Sequence, residues 1–185
     1  MCGIAGVMTA TGRLPDMAVP EAMRDALVHR GPDGEGRLHA DDVGMTQTRL
    51  AVIDLKTGDQ PLFDTGGAAL VGNAEIYNFI ELRESLVGEE FATASDCEPP
   101  LKLYRRDGLE FTDSLRGMYA LAMWGRDALD RFNGMFALAL FDNTEQSLLL
   151  ARDHAGIKPL YYSHTHDGVV FGSQYNQIMN HPWNR

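Results

Sequence analysis

Apolar and β-forming residues dominate "CGIAGVM" at 2 to 8, predicting a strand almost at the start of the chain. Thr9 to Pro15 reads as a turn around Gly12. "DMAVPEAMRDALVHR" then places Met23, Ala26 and Leu27 at helical spacing. That helix is expected to stop at "HRGPDGEG", where Gly31, Pro32, Asp33 and Gly34 favour a turn. Strand-like runs follow at 43 to 54 and 68 to 73. "NFIELRESL" predicts an amphipathic helix, and a third helix is expected over 101 to 106, with Pro99 and Pro100 compatible only with its first turn. From about residue 115 the pattern turns strand-rich: "GMFALALFD", "SLLLARD", "KPLYY" and "GVVFG", divided by "NTEQ", "HAGI" and "HTHD". These read as antiparallel hairpins. Helices and strands grouped in separate blocks predict an α+β layered fold.

One repeat interrupts this pattern. "DSLRGMYALAMW" at 113 to 124 is echoed by "DRFNGMFALALF" at 130 to 141, an offset of 17 residues. Either the copies are neighbouring strands, or the first has become something else while the second keeps a sheet position. Leu121, Trp124, Ala128, Leu129 and Phe132 fall at helical spacing, so a helix through the first copy competes with a strand.

Length and charge narrow the function classes. The 185 residues suit one domain spanning 1–185. A formal net charge of -10 without a basic stripe argues against nucleic acid as partner. The longest apolar runs fall short of the roughly 20 residues that cross a bilayer, and no secretory signal is visible, so a cytoplasmic, membrane-free protein is expected. Two cysteines, Cys2 and Cys97, are too few for a disulfide framework.

Cys2 has a position that suits chemistry. Removing Met1 puts a thiol and an α-amine on one residue, and their ordinary pKa values, about 8.5 and about 7.7 to 8.0, are close enough for the amine to act as general base. The plainer reading makes Cys2 a small buried hydrophobe at the start of an edge strand.

"MCGIAG", "HRGPDGEG", "TRLAVIDL", "QPL", "GNAEIYN", "SDCE", "GMFALALFD" and "LLLARDHAGIKPLYY" stand in the order found in class II glutamine amidotransferases. Over Cys2 to about Pro182 the chain resembles their glutaminase domain, most of all that of glutamine-hydrolysing asparagine synthetases. The resemblance implies the N-terminal nucleophile fold, an αββα sandwich of two antiparallel sheets between helical layers. It also implies that Cys2 attacks the glutamine side-chain amide to give a γ-glutamyl thioester and ammonia, and that water then releases glutamate. Asn73 and the Ala74 N–H would form the oxyanion hole. Arg49 would take the α-carboxylate, Glu75 and Asp96 the α-ammonium, and Val52 and Ile53 would continue the pocket.

The chain departs from the family at Ala74, where the family usually has glycine. A methyl there is strained if the residue needs φ > 0, and crowds the substrate if it needs only close approach. Taken singly, Arg49 and Asp96 also read as surface charges. His29 reads as a helix-end residue rather than a partner of Cys2, and Cys97 as a packed thiol. His164 and His166 in "HTHD" are weak evidence for a metal, and none is expected. The resemblance implies no cofactor in this domain, ATP and Mg belonging to a synthetase domain that would accept the ammonia. The chain ends at "NHPWNR", where that domain would begin, as expected of a truncated form, a separate subunit or a fragment; a homodimer is compatible with this. The competing function is a catalytically weak or inactive glutamine-binding module, suggested by Ala74 and by a duplication that invites register slips.

Overall fold

The expected first strand forms as β1 (Gly3–Thr9), and it is buried along nearly its whole length. The computed structural model describes residues 1–10, 16–40, 42–108, 114, 117–118, 137–153 and 156–184. Burial on both faces explains the near-continuous apolar run: Ile4 packs into one core, while Ala5 and Val7 pack into another. β1 pairs antiparallel with β3 (Val43–Arg49) on one side and with β11 (Gly168–Gly172) on the other. Adding β2 (Gly34–Ala40) and β10 (Tyr161–Thr165) completes a five-stranded sheet in the order β10-β11-β1-β3-β2. A second sheet runs β4-β5-β8-β9, from Leu62–Phe63, Ala68–Gly72, Ala137–Asp142 and Ser147–Arg152. A two-stranded ladder joins β6 (Glu75–Ile76) to β7 (Gly117–Met118).

Four layers result. Helix α1 (Ala18–Asp25) and the short α4 (Tyr175–Met179) cover the outer face of the five-stranded sheet, where Met23, Leu27 and Ile178 meet Ala5, Val7 and Val170. The larger core joins Ile4, Met45 and Phe171 of that sheet to Leu70, Ala139 and Leu140 of the other. Leu82 of α2 (Phe79–Ser85) and Leu101 and Leu103 of α3 (Glu98–Asp107) belong to the same core. This is the αββα arrangement of two antiparallel sheets between helices. No helix among the described residues is long and apolar enough to cross a membrane.

Several boundaries differ from the sequence reading for local reasons. The first helix ends at Asp25, and a 3₁₀ turn over Val28–Arg30 replaces its last part. β2 begins inside the segment read as a turn. As an edge strand with one face in solvent it carries glycine and charge, and its burial alternates residue by residue. The run expected from 43 to 54 stops as a strand at Arg49, because the following residues leave the sheet to wall a cavity. α3 starts at Glu98, three residues before the expected start, with Pro99 and Pro100 in the first turn, where a missing N–H costs nothing. The β10 strand sits three residues later than "KPLYY" suggested, and β4 and α4 were not foreseen.

The two repeat copies have different fates. Residues 137–141 of the second lie in the four-stranded sheet within β8, while Gly117 and Met118 of the first pair with β6. The helix expected through Leu121, Trp124, Ala128, Leu129 and Phe132 falls outside the described residues.

Candidate active site

The end of β1 presents Cys2 at the rim of the inter-sheet space. There Sγ is bracketed by one backbone unit: Leu50 N–H donates to it over 3.4 Å, and its S–H reaches Leu50 C=O at 3.7 Å. Arg30 Nε donates to the Cys2 carbonyl over 3.2 Å. Burial lowers the Arg30 pKa, and its Nη2 is buried without a partner among the described residues. Arg30 ends the 3₁₀ turn, and Gly31 after it lies directly against the end of β3. A Cβ on Gly31 would stand 2.5 Å from the backbone of Thr48 and Arg49, so only glycine fits.

Arg49, at the end of β3, is buried to 6% exposure. Its Nη1 donates to Asp59 over 2.9 Å, and its Nη2 donates to the carbonyls of Ile53, at 3.0 Å, and Asp54. Gly58 leaves room for the guanidinium, since a Cβ there would meet Nη2 at 2.6 Å. The 50–59 loop is closed by Asp54, whose backbone has φ 54. The Asp54 carboxylate accepts from Thr57 N–H at 2.8 Å and from Ala94 N–H at 2.8 Å, tying the loop to the segment that carries Asp96. Burial pushes this carboxyl up, but the hydrogen bonds from Thr57, Ala94 and Lys56 outweigh it and hold the pKa at about 2. The clasp contributes its stability above the ordinary carboxyl pKa and loses it only as pH falls toward 2.

Between β5 and β6 the chain crosses the cavity as Asn73–Ala74–Glu75. The amides at either end of the crossing are engaged: Gly72 N–H donates to Gln60 Oε1 over 2.6 Å, and Ile76 N–H to Asp96 Oδ2 over 2.7 Å. Ala74 N–H has no partner among the described residues. Ala74 also lies outside the positive-φ region, which among the described non-glycine residues holds Asp54 and Gln146. Strain from a left-handed backbone is therefore excluded at this position, and close approach is the remaining consequence of its methyl. Asp96 is buried, and that burial, aided by the charge of Glu75, raises its pKa against the opposing hydrogen bond from Ile76.

All eight sequence candidates, Cys2, Arg49, Val52, Ile53, Asn73, Ala74, Glu75 and Asp96, line one cavity of about 220 Å³. That is the scale of an amino acid rather than of a nucleotide or a drug-sized ligand. It contains an apolar rim at Val52, the Cys2 thiol, a guanidinium and two carboxylates. Cys97 lines it too, yet burial pushes its thiol well up, so it is the poorer nucleophile there. His29 is committed elsewhere, its Nε2 lying 2.8 Å from Gln174 Nε2. Met1 and Lys158 stand at the mouth, Lys158 Nζ being 3.4 Å from Met1 Sδ.

Three contributors escaped the sequence reading. Arg30 was visible only as a letter of "HRGPDGEG", and Asp54 only as a loop acid. Gln47 lay hidden in a polar stretch of β3, "TQT". It is 1% exposed, lines the cavity, and neither its Nε2 nor its Oε1 has a partner among the described residues. A buried amide left unpaired costs roughly 1 to 3 kcal/mol, a cost that a polar ligand in the cavity would relieve.

Comparisons with known proteins identify the family. A family model described as a glutamine amidotransferase domain matches residues 1–128, and a second of the same description matches residues 122–180. "Asparagine synthetase [glutamine-hydrolyzing] 2" of Bacillus subtilis is 35% identical over 187 residues, covering 98% of this chain and 23% of that protein. "Asparagine synthetase [glutamine-hydrolyzing] 3" of Arabidopsis thaliana is 37% identical over 174 residues, covering 92% and 27%. The chain thus spans about a quarter of the length of the curated relatives it matches. Among solved structures, a glutamine phosphoribosylpyrophosphate amidotransferase from B. subtilis, complexed with ADP and GMP, superposes with a TM-score of 0.70 at 21% identity, covering 95% of this chain and 42% of that one.

Proposed function

This chain belongs to the glutamine amidotransferase domain family, and from that premise we propose that it hydrolyses glutamine to glutamate and ammonia through Cys2. The observation that carries the reading is the convergence on one cavity of the Cys2 thiol, the Asn73 amide with the Ala74 backbone beside it, and charged groups of both signs. With Met1 removed, the Cys2 amine takes the thiol proton, directly or through a water, and Sγ attacks the carboxamide carbon. Asn73 Nδ2 and Ala74 N–H receive the oxyanion. The tetrahedral intermediate collapses to the γ-glutamyl thioester, and the amine's proton leaves with the ammonia. Water then attacks the thioester and releases glutamate.

At the other end of the substrate, Arg49 receives the α-carboxylate in competition with the exposed Asp59, while Glu75 and Asp96 receive the α-ammonium. Val52 and Ile53 extend the wall along the same loop. The ammonia would serve an ATP-dependent, asparagine synthetase-like domain or subunit, with ATP and Mg bound there rather than here. The test is turnover of glutamine by the chain with Met1 removed, measured as equal amounts of glutamate and ammonia; no turnover above a Cys2→Ala blank overturns the reading.

Two consequences can be measured on the binding side. Asp96 must be ionised to hold an ammonium, and its pKa is raised, so kcat/KM should fall on the acid side around a pKa above the ordinary carboxyl value of about 3.9. Stability has the opposite sign: this group favours the folded state most below the ordinary pKa, and progressively less as pH rises through the raised one. A pH profile of kcat/KM for Asp96→Asn should lose that acid limb and show a higher KM throughout. Gln47→Leu should separate stability from function. Removing an unpaired buried amide should raise Tm, while loss of its contacts to bound glutamine should raise KM by about tenfold. A raised KM with lowered Tm would instead make Gln47 part of the packing.

A further inference from the structure

The segment between α2 and α3 that carries Asp96 belongs to no helix or strand, yet Ser95, Asp96 and Cys97 are buried. Buried backbone groups need partners, and without a ladder side chains must supply them. All four N–H groups from Ala92 to Ser95 donate to side-chain oxygens. Ala92 and Thr93 N–H donate to the two carboxylate oxygens of Glu98 over 2.8 and 2.7 Å, and the Thr93 hydroxyl joins them at 2.6 Å. Ala94 N–H donates to Asp54 over 2.8 Å, and Ser95 N–H to Thr93 Oγ1 over 3.1 Å. On the carbonyl side, Arg83 Nη2 donates to Thr93 C=O over 2.6 Å and to Ser95 C=O over 3.0 Å.

Arg83 and Glu98 are themselves held. The Arg83 guanidinium lies over the Phe91 ring, 4.2 Å from its centroid, with Nη2 3.9 Å from the Glu98 carboxylate. Glu98 opens α3 and is 2% exposed. Ser95, Asp96 and Cys97 line the cavity, with Arg83 and Glu98 behind them. We propose that Arg83 and Glu98 are positioning residues: they fix the backbone leading to Asp96, and so set the preference of the cavity for a ligand with an α-ammonium group over the same ligand without one. The ligand class rests on the glutaminase reading; the geometry of the clamp does not. A charge-assisted hydrogen bond weakens steeply when its acceptor is displaced or turned, so loosening the clamp acts on the ammonium first. Arg49 is held by Asp59 and by the carbonyls of Ile53 and Asp54, none of which the clamp supplies.

The opposite charges of the two residues give the test its sign. Removing the charge of Arg83 makes the surroundings of an ammonium more negative, and removing that of Glu98 makes them less so. An influence through charge alone would push the two variants in opposite directions, whereas lost positioning weakens both. Arg83→Met keeps an unbranched stem without donors, and Glu98→Gln keeps the shape but puts an NH₂ where an acceptor stood. Binding of L-glutamine and of 4-carbamoylbutanoate, which is glutamine without its α-ammonium, is measured by calorimetry in a Cys2→Ala background. The kcat and KM for glutamine are measured with Cys2 in place and Met1 removed.

Both variants are expected to lower the preference for glutamine by about tenfold through weaker glutamine binding, with 4-carbamoylbutanoate within about twofold and kcat for glutamine within about threefold of the parent. Arg83→Lys, which keeps the charge and a donor on a shorter stem, should lose about threefold, and it decides alone if neither other variant melts cooperatively. Opposite shifts in Arg83→Met and Glu98→Gln, equal weakening of both ligands, or an unchanged preference overturns the proposal. A parent that binds glutamine without hydrolysing it overturns the proposed function, while the binding ratio still decides the clamp. A parent that binds glutamine no better than 4-carbamoylbutanoate overturns the clamp even if it hydrolyses glutamine.

Discussion

Cys2→Ala, with Met1 removed, is expected to lose glutamine hydrolysis by about 1000-fold or more, because nothing else in the cavity replaces a thiol as nucleophile. The obvious substitute is Cys97, which lines the same cavity, but burial holds its proton on, and its neighbour Asp96 disfavours the thiolate further. Stability should hardly move. Among the described residues the Cys2 side chain hydrogen-bonds with the Leu50 backbone alone, and Cys2's carbonyl, which Arg30 grips, survives the substitution. Ammonia release and thermal melting measured on the same preparation check both halves. A chain that retains Met1 should behave like Cys2→Ala, since its amine no longer belongs to the cysteine, and the mass of the N-terminal peptide reports which form is present. Turnover that survives Cys2→Ala would place the nucleophile elsewhere.

Asn73→Ala carries the second largest effect. The expected loss is about 100-fold to 1000-fold in kcat with little change in KM, since in the proposed mechanism the amide would meet charge that exists only after attack. Steady-state kinetics over a range of glutamine concentrations separate the two constants. A rise in KM at unchanged kcat would instead assign Asn73 to ground-state binding. In the same mechanism Ala74 would contribute through its backbone N–H, so the loss of Asn73 would leave one donor, and turnover should fall without vanishing. Because Ala74 has an ordinary φ, its methyl does not itself deform the hole.

Much of the fold was legible because burial writes itself into local pattern. β1, β5, β9 and β11 were visible as apolar or β-branched runs, and α2 as an amphipathic one. The edge strand β2 was not, since a half-solvated strand of "GEGRLHA" has the composition of a turn, and its pairing with β3 is what makes it extended. The site was legible where chemistry is residue-specific: a terminal thiol, an arginine and two acids. It was illegible where a residue acts through its setting. Gln47 is an ordinary polar letter in a strand until both its amide atoms are found buried beside the cavity with no partner among the described residues. Asp54 is an ordinary loop acid until it is found tying the Arg49 loop to the Asp96 segment. Arg30 is an ordinary basic letter until it is found donating to the Cys2 carbonyl beside a Gly31 packed against β3.

By itself the sequence determined the α+β character, the order of the motifs, the terminal position of the thiol and the 17-residue period of the duplication. These follow from covalent order and from hydrophobic periodicity, both local properties of the chain. Tertiary structure decided which residues share the cavity, that Cys97 is the buried thiol, that Ala74 is free of left-handed strain, and which repeat copy holds each stretch of sheet. Those outcomes depend on contacts between distant segments: Cys2 with Leu50, Asp54 with Ala94, Glu75 with Met118, and Asp142 with Tyr104. No local pattern encodes such pairings. They are selected when the chain buries its apolar faces and must still satisfy the polar groups carried in with them.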